Sequence, residues 1–107
     1  MHIGCPKEIK PQEFRVGMTP ALVQDLVARG HTVKIEAGAG LGAGFSDAAY
    51  EQAGAELVKT AAEIFAQSEM IVKVKEPQAE ERKMLREGQL LFTYLHLAPD
   101  ADQTHDL

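Results

Sequence analysis

The chain has 107 residues, 45% apolar and 25% charged, with a net charge of −5 from 11 basic and 16 acidic side chains. This suits one modest globular domain and weighs against disorder, while the acidic balance argues against nucleic acid or an anionic membrane surface, both of which need basic patches. The single cysteine, Cys5, excludes an internal disulfide framework; with no apolar run near the roughly 18 residues of a membrane span and no basic-then-apolar leader at the start, a reducing cytoplasm is expected.

In chain order, His2–Cys5 reads as a short apolar strand stopped by Pro6. Lys7–Gly17 has Pro11 inside it and no periodicity, so it reads as a loop carrying Lys7, Glu8, Lys10, Glu13 and Arg15. Thr19-Pro20 supplies a helix N-cap with proline at the first helical position, Leu22, Val23, Leu26 and Val27 share one helix face, and Gly30 is the stop. His31–Glu36 alternates as a second strand, and Gly38–Gly44 is a glycine-rich loop. Ser46 or Asp47 caps a short helix through Gln52, closed by Gly54, and Glu56–Val58 is a brief extended piece.

Thr60 with Glu63 has capping-box spacing ahead of Ile64 and Phe65. Met70–Val74 has the β-branched density of a strand covered on both faces, although it carries Lys73 and runs on to Lys75 and Pro77. Glu80–Arg86 reads as a charged helix with Met84 and Leu85 turned inward, ended by Gly88, and Gln89–His96 as a further buried strand. From Asp100 to Leu107 the pattern is that of a helix's first turns cut short, so a truncated chain is expected. Alternating β and α units of this length predict an α/β fold, an open and mainly parallel sheet with flanking helices.

Parallel sheets bind ligands at the carboxyl ends of their strands. Lys75 is expected there, whereas Lys73 is expected to snorkel to solvent. His96 follows the neighbouring strand and can give and take a proton near neutral pH, or serve as a cap or core histidine. Arg15 follows the first strand; its planar fork suits a carboxylate or phosphate, though spacing alone favours a surface arginine paired with Glu13 or Glu8. The run from Gly38 to Ala43 matches a relaxed dinucleotide fingerprint, but Phe45-Ser46 intervenes before a short helix, so it reads as a turn-rich connection in which Gly42 and Gly44 meet unusual backbone angles. Cys5 is either a nucleophile with His96 as its base or, more commonly for such a position, a small core hydrophobe. The scattered histidines and cysteine show no metal-ligand spacing.

Several blocks resemble the amino terminus of bacterial alanine dehydrogenase: Ile3-Gly-x-Pro6-Lys-Glu8, Glu13-x-Arg15-Val16, Thr19-Pro20, Gly38-Ala-Gly40, Ala53-Gly-Ala55, Val72-Lys-Val-Lys75-Glu-Pro77 and Thr93-Tyr-Leu-His96-Leu-Ala98. The nicotinamide nucleotide transhydrogenase alpha subunit shares the first block and the glycine loop; the Lys75 and His96 blocks look like the dehydrogenase. The resemblance implies reversible NAD-dependent deamination of L-alanine to pyruvate and ammonium by a homohexamer. It makes residues 1–107 the amino-terminal part of the substrate domain, with the NAD-binding domain and a catalytic aspartate absent from this chain. It also implies that Arg15 binds the substrate carboxylate, that Lys75 binds substrate near its carbonyl oxygen, and that His96 is the acid–base. Cys5 stands where the family often has valine, which favours packing. Arg15, Lys75 and His96 are then expected in one cleft, the glycine loop is expected not to bind NAD, and the chain alone is expected to be inactive. The contrasting reading is a non-catalytic module that binds at most a small carboxylate.

Overall fold

The computed structural model describes residues 1–9, 15–75 and 77–93. Five strands form one all-parallel sheet: β1 His2–Cys5, β2 Thr32–Glu36, β3 Glu56–Val58, β4 Met70–Lys73 and β5 Leu90–Thr93, in the order β3-β2-β1-β4-β5. Helix α1, Pro20–Ala28, joins β1 to β2; α2, Asp47–Gln52, joins β2 to β3; α3, Ala61–Gln67, joins β3 to β4; and the short α4, Ala79–Arg82, joins β4 to β5. The expected open parallel α/β sheet is therefore the observed one.

Local signals start the helices where they are expected. Thr19 Oγ1 accepts the Leu22 N–H at 3.2 Å and Pro20 opens α1. Of the two candidates before α2, Ser46 is the cap, accepting the Ala49 N–H, while Asp47 takes the Gly38 N–H at 2.8 Å. Thr60 caps α3.

Strand alternation then divides the core. Ile3, Cys5, Val33, Ile35 and Val72 point to one face, where Val23 of α1 and Tyr50 of α2 cover them. Ile71 and Val58 point to the other, under Ile64 and Phe65 of α3. Gly4 lies beneath α3, and a Cβ there would run into Ser68 Oγ and Ile64. Cys5 is fully buried; loss of solvent pushes its thiol up from 9.0 to about 12, so it takes the packing role.

Three expectations change. Lys73 does not reach solvent: it is 1% exposed, with its Nζ 3.1 Å from Glu8 Oε1 and 3.0 Å from Glu81 Oε2. Its strand position points it under α4, where two buried carboxylates make burial tolerable. The charged helix ends at Arg82 rather than Arg86. Arg86 and Gln89 instead donate to the carbonyls of Phe65 and Ser68 at the carboxyl end of α3, at 2.7–3.1 Å, and those bonds require the chain to leave the helix. Finally, among the described strands β5 lies at the sheet edge, and Leu90 and Phe92 are each 51% exposed, so Leu90–Thr93 is not the doubly covered strand expected.

Two outcomes follow from this packing. Lys73→Met preserves much of the side-chain volume but leaves Glu8 and Glu81 without their ammonium, so a loss of about 3–5 kcal/mol is expected in urea unfolding, and the triple change to Met, Gln and Gln at positions 73, 8 and 81 should recover part of it. The native Cys5 thiol keeps its proton above pH 9 while the unfolded one loses it. Its contribution is therefore complete below pH 9 and falls by roughly 1.4 kcal/mol per pH unit as pH rises towards 12. Stability measured at pH 8 and 10.5 should show a smaller alkaline loss in Cys5→Val, and Cys5 should resist iodoacetamide until urea unfolds the chain.

Candidate functional site

The chain builds β1, β2 and β3 outwards in one direction, then crosses back over the opposite face to lay β4 on the other side of β1. The connections at the carboxyl ends of β1 and β4 therefore diverge, leaving a crevice between them, and that switch point is the ligand position in open α/β sheets. Arg15 lies in the connection after β1 and Lys75 just beyond β4. The connection after β1 closes against β4 itself: a Cβ on Gly17 would lie 2.6 Å from the Val72 carbonyl oxygen. Arg15 and Val74, the residue before Lys75, line one cavity of about 460 Å³ with Val16, Leu22 and Phe45, within the range usual for small-molecule pockets. Arg15 also borders a more polar hollow of about 280 Å³ beside Lys7, Glu8 and the glycine loop. Arg15 is exposed and Lys75 part-buried.

Under Lys75 lies the buried charge cluster. Glu8 Oε2 accepts the Val74 N–H at 3.1 Å, and Oε1 accepts the Lys75 N–H at 3.2 Å together with Lys73 Nζ at 3.1 Å. Glu81 closes the cluster from α4: Oε1 accepts the Gln78 N–H at 2.8 Å and Oε2 faces Lys73. The backbone that carries Lys75 away from the sheet is thus held by a carboxylate from the β1 connection. Sequence reasoning missed Glu8 and Glu81 in this role, and Gly17 in its close approach to β4. The available signal for the first was Lys73 itself, since a lysine inside a buried strand requires an acid and Glu8 stands just past the end of the adjoining strand.

The glycine loop borders the crevice differently from a phosphate cradle. Gly40 lies against the Tyr50 ring, where an added Cβ would come 2.6 Å from Cε2, and the Tyr50 hydroxyl donates to the Met18 carbonyl at 2.7 Å. The loop is thereby tied to the segment carrying Arg15 and Gly17. Gly44 and Gly38 adopt positive φ, at 91° and 83°; the expectation that Gly42 does so is not met, because Gly42 sits within a 3₁₀ turn, Leu41–Ala43. At the end of β2, Glu36 Oε1 accepts the Lys7 N–H at 2.8 Å, and burial raises its carboxyl above the ordinary value. Cys5 lies beneath the site in the closed core, which leaves no route for it as a nucleophile. His96 lies outside the described residues, as do Lys10, Glu13 and the segment from Tyr94 to Leu107; β5, which precedes His96, runs parallel to β4 with Thr93 opposite Lys73. Among the described residues no cluster of three or more His, Cys, Asp or Glu side chains could hold a metal ion, and no helix is long and apolar enough to cross a membrane.

Known proteins match this arrangement along its whole length. The chain is 55% identical over 107 residues to an alanine dehydrogenase of Methanococcus maripaludis, 54% over 107 residues to one of Halomonas elongata and 51% over 102 residues to one of Bacillus subtilis. It covers 100%, 100% and 95% of itself in these matches but only 29%, 29% and 27% of the relatives, so it spans less than a third of their length. A solved L-alanine dehydrogenase superposes with a TM-score of 0.90 at 55% identity, covering 100% of this chain and 29% of that one. A transhydrogenase from Sinorhizobium meliloti superposes at 0.86 with 33% identity, covering 96% and 29%. The family model for the alanine dehydrogenase/PNT N-terminal domain matches residues 4–107, and the chain belongs to that family.

Proposed function

We propose that this chain is the amino-terminal part of the substrate domain of a cytoplasmic, homohexameric alanine dehydrogenase, which converts L-alanine to pyruvate and ammonium with NAD and runs the reverse amination. The observation that carries the reading is the placement of Arg15 and Lys75 on the two connections that flank the β1/β4 switch point. In this reading Arg15 takes the substrate carboxylate in its two-pronged fork, which sets the α-carbon. Lys75 donates to the carbonyl oxygen of pyruvate and opposes negative charge building there as ammonia adds. Forming and collapsing the carbinolamine moves protons on and off oxygen and nitrogen, the work assigned to His96.

NAD supplies the hydride chemistry when bound. The glycine loop does not fit its pyrophosphate: Tyr50 fills the space above Gly40, and the following helix begins only after Ser46. NAD is therefore assigned to a Rossmann-type domain in sequence outside this chain, together with the aspartate that the resemblance implies. The dehydrogenase is favoured over the transhydrogenase by the higher identity, 55% against 33% at similar superposition. It is favoured over a non-catalytic carboxylate binder by the 55% and 54% identity to alanine dehydrogenases over all 107 residues.

The test is NADH production from L-alanine at alkaline pH, and the reverse reaction with pyruvate and ammonium, by the longer protein that carries this chain. Arg15→Lys should raise KM for pyruvate about 10- to 100-fold, the worth of one strong charged hydrogen bond. Lys75→Ala should lower kcat/KM by about 10²–10³-fold, with KM for NADH unchanged. Residues 1–107 alone should bind NAD weakly or not at all and produce no NADH. Wild-type kinetics in both variants would remove the site assignment, and turnover by residues 1–107 that His96→Ala abolishes would remove the assignment of the cofactor to another domain.

A further inference from the structure

β4 ends at Lys73, its last residue paired with β5, so Val74 and Lys75 lie past the ladder that fixes the strand. At that point a chain ordinarily gains freedom, and a lysine displayed there would wander with its backbone. Here both N–H groups are taken by one carboxylate, Val74 by Glu8 Oε2 and Lys75 by Glu8 Oε1. The Glu8 side chain is itself only 2% exposed, and its Oε1 pairs with Lys73 Nζ at 3.1 Å. We propose that Glu8 is a positioning residue for Lys75: its buried carboxylate takes the two backbone N–H groups just past the end of β4 and fixes the backbone from which Lys75 meets the substrate.

This rests on the reading of Lys75 as a substrate-binding cation. Its physical content is that the orientation of Lys75 depends on Glu8 rather than on the charge of the cluster as a whole. The cluster provides a matched control, because Glu8 and Glu81 both face the same ammonium, 3.1 and 3.0 Å away, while the bonds to Val74 and Lys75 come from Glu8. Replacing Glu8 by glutamine keeps the volume and leaves Lys73 paired with Glu81. It supplies only one acceptor oxygen where two are needed, so one of the two backbone anchors is lost.

The experiment compares Glu8→Gln, Glu8→Asp, Glu81→Gln, Lys75→Gln and the double variant Glu8→Gln/Lys75→Gln in the longer enzyme, with pyruvate, ammonium and NADH as substrates. Glu8→Gln should lower kcat/KM for pyruvate about tenfold or more, as expected for a displaced catalytic-site group, and leave KM for NADH within about twofold. Glu8→Asp keeps the charge but shortens the reach, so it should lose at least as much; it carries the comparison if the glutamine variant fails to fold. Glu81→Gln should stay within about threefold of wild type. In the Lys75→Gln background, Glu8→Gln should add less than about twofold, because its effect passes through Lys75.

Normal pyruvate kinetics in folded Glu8 variants, with Lys75→Gln impaired, would overturn the positioning role alone. So would equal losses in Glu8→Gln and Glu81→Gln, or losses that multiply in the double variant. If Lys75→Gln is itself silent, the underlying reading of Lys75 falls and the positioning role falls with it.

Discussion

A lysine ammonium inside a closed core must meet acceptors from whatever elements surround it, and Lys73 meets them from two directions. Glu8 comes from the connection after β1 and Glu81 from α4, which lies on the opposite side of β4 in the chain. One cation thus ties the exit of the central strand, the strand beside it and the short helix that follows. A buried charge without its partner costs several kcal/mol, so any arrangement that separates these three side chains is penalised beyond the loss of apolar packing. The cluster sits under the β1/β4 switch point, so the rigidity it confers is delivered to the backbone that carries Lys75.

The rest of the crevice is shaped by close approaches rather than by charge. Gly17 lets the Arg15 segment come against the end of β4, and Gly40 lets the glycine loop lie on Tyr50, whose hydroxyl then grips Met18. Val72 and the Tyr50 hydroxyl thus both act on the short stretch Gly17–Met18. A glycine-rich loop after a strand invites a phosphate-binding interpretation; here the absent side chains make room for a tyrosine ring.

What could be read directly from the residues was what depends on near neighbours. Thr19-Pro20, Ser46, Thr60 and Gly30 act within one helical turn, and the strands are marked by their own apolar runs, so the five-stranded parallel sheet follows from local pattern. Arg15 and Lys75 could be nominated because strand direction and connection order place them at the same edge. The failures share one cause. Lys73 is satisfied by a residue 65 positions away, and the end of α4 is decided by Arg86 and Gln89 reaching carbonyls at least 18 positions earlier. Such partners leave no mark on the local periodicity. The exposed side of β5 is equally non-local, since an edge strand and a central strand carry similar apolar runs.

The two lysines of β4 and its exit divide the work of one short sequence. Lys73 gives up any contact with solvent or ligand to hold Glu8, and Glu8 in turn holds the amide of Lys75. An ammonium serving a carbonyl must be close and correctly aimed before charge develops, because stabilisation that requires reorganisation at the moment of reaction is largely wasted. A strand end is a poor place for such a group unless something replaces the lost ladder. In the proposed reading of Lys75, a buried acid set there, with a second lysine to keep that acid in place, takes the N–H groups of Val74 and Lys75 just past the last residue of β4.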